Sequence, residues 1–205
     1  MEKKYKLTEE TIKVNGITLY RIEAVRDFAN IKKGDKGGFV ENDSNLSQSG
    51  DCWVYHNAVV YGNAEVYDDA KVSEDARIYG NAWVYGDARV YGDASIYGNA
   101  SIYGDASICN NAEVYGYAYV YGNAEIRGDA EIASNSDYIV FKNWWSSGRY
   151  FTWTKSNNMW KVGCFYGTGE ELIEKAYKDS EKSGREYEKI VKYVESILED
   201  NNADV

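Results

Sequence analysis

The chain has a single histidine, His56, among its 205 residues, and no proline. One imidazole excludes any metal site built on three histidines. The lack of proline decides nothing about the fold. Cysteine is scarce as well. Cys52, Cys109 and Cys164 follow no regular spacing, so no disulfide framework is expected and a reducing compartment is. No apolar run approaches the ~20 residues of a membrane span, and the first six residues are charged rather than signal-like, so a cytoplasmic protein is expected. Bases are outnumbered, 23 Lys and Arg against 33 Asp and Glu, for a net charge of −10. That balance argues against direct nucleic-acid binding through a basic surface. Threonine is missing between Thr18 and Thr152, which excludes a regular threonine array of the ice-binding kind.

What is present is periodic. An aliphatic residue recurs every six positions from Val54 and Val60 through Ile78, Val90 and Ile102 to Ile132, without slippage. Two residues before each sits a small one, Cys52 first and then Ala58, Ala64 and so on to Ala130. Gly-Asn or Gly-Asp steps, such as Gly62-Asn63 and Gly86-Asp87, separate the units. Alternation of small, outward and aliphatic positions describes a short half-buried strand, and Gly with Asn or Asp suits a tight corner. Such a unit cannot bury its own apolar face, so it must stack as coils of a solenoid. Residues 51–136 hold 13 acids against four bases (Lys71, Arg77, Arg89, Arg127), and much of that acid is corner chemistry rather than a binding surface. One carboxylate per corner is too few oxygens for calcium. Val40 and Leu46 begin the repeat, and a two-residue excess around 47–50 precedes Val54.

The flanks read differently. Two apolar segments around Asn15-Gly16 predict a β-hairpin over 5–28 that caps the first coil. Residues 29–37 form a Gly/Lys loop whose spacing matches no phosphate-binding pattern. After Ser136 the composition predicts a three-stranded meander (138–145, 149–155, 159–166) and a helix opened by the capping box Thr168 to Glu171. Ser183-Gly184 should stop that helix, and a second follows with Tyr187, Ile190, Val191, Val194 and Leu198 on one stripe. Residues 201–205 are expected to fray. The chain thus divides into 1–37 (hairpin and capping loop), 38–136 (repeat) and 137–205 (a small α+β module).

The repeat is similar to the hexapeptide-repeat β-helix superfamily, and that resemblance implies three hexads per coil, which would place outward residues in columns eighteen apart. One face carries Tyr67, Trp83, Tyr85, Tyr103, Tyr119 and Tyr121. Stacked tyrosines partly satisfy one another. This face nevertheless exceeds the few hundred Å2 of apolar patch that a monomer normally shows, so another subunit should cover it. In the C-terminal module, Trp144, Trp145, Trp153 and Trp160 are core material in the first instance. Strand alternation forbids burying both Trp144 and Trp145. With Arg149 across the turn, these residues form a candidate binding site for an anion or a partner.

The repeat resembles the hexapeptide-repeat, left-handed β-helix superfamily over residues 38–136. That resemblance implies three hexads per coil, a triangular cross-section, a left-handed path of about five coils and a parallel-axis trimer. The flanking strings LYRIEAVRDF (19–28), GDKGGFV (34–40), NLS (45–47) and VGCFYGT (162–168) look like hexapeptide-repeat proteins of phages and prophages, which implies a phage accessory protein in the host cytoplasm. The superfamily's enzymes are acyl or acetyl transferases with a histidine base. Here His56 occupies a corner where other units mostly carry Gly, and no loop insertion interrupts 54–132, so His56 is a weak catalytic candidate. Cys164 precedes a helix N-terminus, but its strand position favours packing; Cys52 belongs to the small interior column, and Cys109 points outward. The expectation is therefore a non-enzymatic homotrimer, without cofactor or metal, that binds or sequesters a host protein or a small anionic molecule, with a component of host defence as a fitting target. The alternatives are an acyltransferase using His56 and a structural or virion-associated rod.

Overall fold

The computed structural model describes residues 3–203. The N-terminal hairpin forms as the sequence predicts. Strands β1 (Tyr5–Val14) and β2 (Ile17–Ala24) pair antiparallel about Asn15-Gly16, whose φ angles of 52° and 84° are those of a tight hairpin turn. Strand β3 (Lys36–Val40) pairs antiparallel with β2 and parallel with the repeat, so the hairpin is continuous with one solenoid face.

Fourteen two-residue strands follow, β4 (Trp53–Val54) to β17 (Glu131–Ile132), stacked as a parallel solenoid of about five coils with three faces. Each rung pairs with the rung eighteen residues away, Ile78 with Ile96 and Ile96 with Val114. The aliphatic column from Val54 to Ile132 and the alanine column from Ala58 to Ala130 are fully buried. Corners need left-handed backbone. At Gly98 (φ 70°) a Cβ would stand 2.9 Å from the amide of Gly116 in the next coil, so both conformation and space select glycine. The two-residue excess is visible as register: Val40 pairs with Val60 and Leu46 with Val66, twenty apart, whereas Val54 pairs with Val72.

A parallel stack leaves carbonyls bare at one end and amides at the other. The protein meets each with the opposite chemistry. At the first coil the donors are side chains. Asn45 Nδ2 donates to Gly62 O and Ala64 O, Tyr5 Oη to Leu46 O, and Arg21 to Gly37 O and His56 O. Lys4, fully buried, donates through Nζ to the carbonyls of Ser49, Gly50 and Cys52. At the last coil the side chains accept. Asn135 takes the Tyr119 amide, Thr152 the Glu125 amide, Ser156 the Glu131 amide and Asp137 the Ala133 amide. Asn135, Thr152 and Ser156 serve one face each, and Asp137 adds a second acceptor on the face of Glu131.

The C-terminal sheet has four strands rather than three: β18 (Tyr138–Lys142), β19 (Tyr150–Thr154), β20 (Met159–Val162) and β21 (Phe165–Gly167). The segment expected as one strand over 159–166 folds back on itself because Gly163 turns with φ 55°. Helix α1 (Gly169–Asp179) opens with the expected capping box. It ends at Ser180, not at Ser183-Gly184, since extended Ser180 caps α2 (Glu181–Ala203) by accepting from the Ser183 amide at 3.1 Å. Gly184 lies inside α2 because the Tyr177 ring packs directly over its Cα. Of the segment expected to fray, 201–203 continue α2, and 204–205 lie outside the described residues.

Candidate functional site

The rings of Tyr67, Tyr85, Tyr103 and Tyr121 stack face to face, with successive centroids 4.7, 5.0 and 5.3 Å apart and planes within 10°. The ladder satisfies itself only in part. The first three rings are half-buried, but Tyr121 is 50% exposed. Beside it runs the column Trp83, Ser101, Tyr119, in which the serine is buried while Trp83 and Tyr119 are 48% and 45% exposed. A second ladder, Tyr61, Tyr79, Tyr97 and Tyr115, stacks in the same way on the face that carries the hairpin. Its first member is covered by the hairpin cluster around Leu19 and Phe39, and its neighbouring column holds Arg77 and Glu113 instead of large rings. Stacking is therefore a structural habit of this repeat, and the uncovered Trp83/Tyr119 column sets the first face apart.

The C-terminal candidates separate by burial. Trp153 and Trp160 are 2% and 1% exposed and build the module's core with Phe151, Leu172 and Val191. Trp145 is also buried, edge-on to Tyr187 at 4.9 Å. These three are packing residues and offer no binding surface. Trp144 is 71% exposed, as the alternation argument requires of one of the pair, although both sit in the turn after β18 rather than in a strand. Arg149 is exposed, and among the described residues its guanidinium has no hydrogen-bond or ion-pair partner.

Arg149 leads to clefts that the sequence does not single out. Where the last coil meets the C-terminal sheet, a cleft of about 430 Å3 is walled by Tyr121, Tyr138 and Tyr150, with Asn123 and Asn135 at its rim. A neighbouring cleft of about 630 Å3 shares Asn123 and Tyr150 and adds Arg149, Lys161 and Glu125. The last two pair at 3.1 Å, and Lys161 Nζ also donates to Gly163 O. Asn123 and Asn135 read in sequence as corner and turn residues. Tyr150 carries one legible signal, its alternation with buried Phe151 in β19.

His56 takes a corner conformation (φ 52°), and its Nδ1 accepts from the Glu74 amide at 3.2 Å, a structural bond between successive corners. Cys109, expected to point outward, is 1% exposed, its thiol donating to Asn110 Oδ1. Cys164, expected to pack, is exposed in the turn that splits the third expected strand. The Gly/Lys loop at 29–37 uses up its own amides: Asp35 and Asp27 accept from Lys32 and Lys33. Among the described residues no helix is long and apolar enough to cross a membrane.

Burial pushes the Tyr67 and Tyr138 hydroxyls up to about 12. Burial, then the hydrogen bond to Glu113, raises Tyr97 as well. A raised folded value means that the stabilisation is complete below the unfolded tyrosine pKa of about 10 and is lost as pH climbs through the folded one. Urea midpoints should therefore fall between about pH 10 and 12 in step with tyrosinate absorbance, and a Tyr97→Phe variant should show a shallower fall. An unchanged slope in that variant would contradict the assignment.

No protein-family model matches the chain, and no curated protein matches it.

Proposed function

We propose that this protein is a self-associating, non-catalytic binding protein: copies meet through the Trp83/Tyr119 face, and each takes up a small anionic molecule at the clefts beside Arg149. The observation that carries this reading is the face itself, where three large rings (Trp83, Tyr119, Tyr121) stand about half exposed on one side of the solenoid. Apolar surface of that size is normally covered, and a flat repetitive face suits a copy of itself related by rotation. The resemblance to trimeric hexapeptide-repeat proteins supports three copies. The likeness of the flanks to phage and prophage proteins supports a bacterial host's small molecule as the target, sequestered to blunt a defence.

The test is mass. Native mass spectrometry of protein purified from cells should give a trimer with a discrete added mass. A Trp83→Glu/Tyr119→Glu variant should run as a monomer with an unchanged circular dichroism spectrum. A monomeric wild-type protein would remove the subunit interface from this reading. His56→Ala should leave both assembly and ligand uptake unaltered. Coenzyme A binding that disappears in this variant would instead favour the acyltransferase reading.

A further inference from the structure

The two clefts at the C-terminal end of the rod are different in character and adjacent, sharing Asn123 and Tyr150. One is aromatic: Tyr121, Tyr138 and Tyr150 line it, and β18 contributes Ile139 and Val140. The other is polar and holds the guanidinium of Arg149. Tyr150 stands at the junction and belongs to both. The Lys142 ammonium lies 5.5 Å from its ring centroid, so a second cation borders the same spot.

Hydrogen-bonding capacity is left over around the aromatic half, which Asn123 and Asn135 both line. Asn123 donates its amide N–H to Asp105, and among the described residues its carbonyl oxygen takes no partner. Asn135 accepts the Tyr119 amide through Oδ1, and among the described residues its Nδ2 donates to nothing. One free acceptor and one free donor therefore border an aromatic slot, which is what the edge of a flat heterocycle requires. The charge is also pointed. In a chain of net charge −10 an anion is repelled at long range, yet Arg149 is kept without a carboxylate partner. Its planar fork suits two oxygens of a phosphate. Glu125, the acid in that cleft, is already held by Lys161.

From this juxtaposition we infer that the trough binds a nucleotide, its base between the tyrosines and its phosphate on Arg149. The inference rests on the anion-binding reading above and names the ligand's chemical class. The ring half supplies stacking, which tolerates any base, and the two asparagines supply the preference among bases.

Isothermal titration calorimetry on the intact protein tests it. The probes are AMP, GMP, CMP and UMP, their four nucleosides, and inorganic phosphate. At least one monophosphate should bind, with its nucleoside about ten-fold or more weaker. Arg149→Gln should bring the monophosphate down to the level of its nucleoside, with nucleoside binding and Tm unchanged. Tyr150→Ala should weaken both. Failure of all four monophosphates to bind, equal affinity in Arg149→Gln, or phosphate alone binding as tightly as the nucleotide would each overturn the inference. The broader reading fails separately. A co-purified mass that is lost in Arg149→Gln but is not a nucleotide would leave that reading standing and this one refuted.

Discussion

Replacing Ile96 with alanine should lower the stability of the protein by about 2–5 kcal/mol, the usual cost of emptying a buried Ile position that cannot collapse. Ile96 is fully buried in mid-rod, between Ile78 and Val114 on its own face. Its neighbours cannot move in. Tyr79 N donates to Ile96 O at 2.9 Å and Tyr97 N to Val114 O at 3.0 Å, and these ladder bonds fix the coil spacing. Ser95→Ala, one position away and half-buried on the outside, should stay within about 0.5 kcal/mol of wild type. Urea denaturation measures both. Hydrogen exchange should show the loss at the rungs of Ile78 and Val114 before the hairpin, because a stacked array transmits damage to nearest neighbours. A cost under about 1 kcal/mol would mean that the interior relaxes, contrary to the fixed spacing.

The second large effect lies at the N-terminal cap. Lys4→Met keeps the length and removes the charge, so it isolates what the ammonium does. Three carbonyls lose a donor at once, those of Ser49, Gly50 and Cys52. A buried polar group left without its partner costs about 1–3 kcal/mol, and the Cys52 carbonyl is the most enclosed of the three. The expected loss is about 2–4 kcal/mol by the same scale, with the cap opening first in hydrogen exchange. A stabilised Lys4→Met protein would show instead that burying the ammonium costs more than its bonds to the three carbonyls and to Cys52 Sγ return. Burial does push the Lys4 pKa down from its usual value, so that opposing effect is real.

The stacked solenoid and its buried columns are legible because six-residue spacing is enforced by geometry at every unit, and the Asn15-Gly16 hairpin follows from local chemistry, whereas three hexads to a coil follow only from the resemblance. One of Trp144 and Trp145 is exposed as expected, but both stand in the turn after β18, where strand alternation does not decide which ring packs. What could not be read were contacts between distant segments. Nothing local marks Lys4 as buried, since its partners lie more than forty residues away. Trp53 sits at an outward position, yet it is 1% exposed under Tyr5 and Phe28, which only the folded cap brings there. The helix end at Ser180 is hidden from the sequence for a related reason. Gly184 looks like a terminator until the ring of Tyr177 is seen against it. The clefts belong to the same class, since Tyr121, Asn135 and Tyr150 meet only when the C-terminal sheet seats on the last coil.

The two extra residues before Val54 have a consequence for how the chain finds its fold. A repeat of period six, with coils of eighteen, is nearly degenerate: slide the strand path by one coil and the aliphatic column still closes. Interior burial alone does not tell the chain where to begin. The offset between Leu46 and Val54 occurs once, and what it builds occurs once. It brings Gln48 to accept from the Lys4 and Tyr5 amides, and it aims three carbonyls at one ammonium. A chain paired one coil out of step would still build an aliphatic interior but would strand those groups. The irregular turn thus acts as the origin of the molecule's ruler, turning a family of equivalent alignments into a single one.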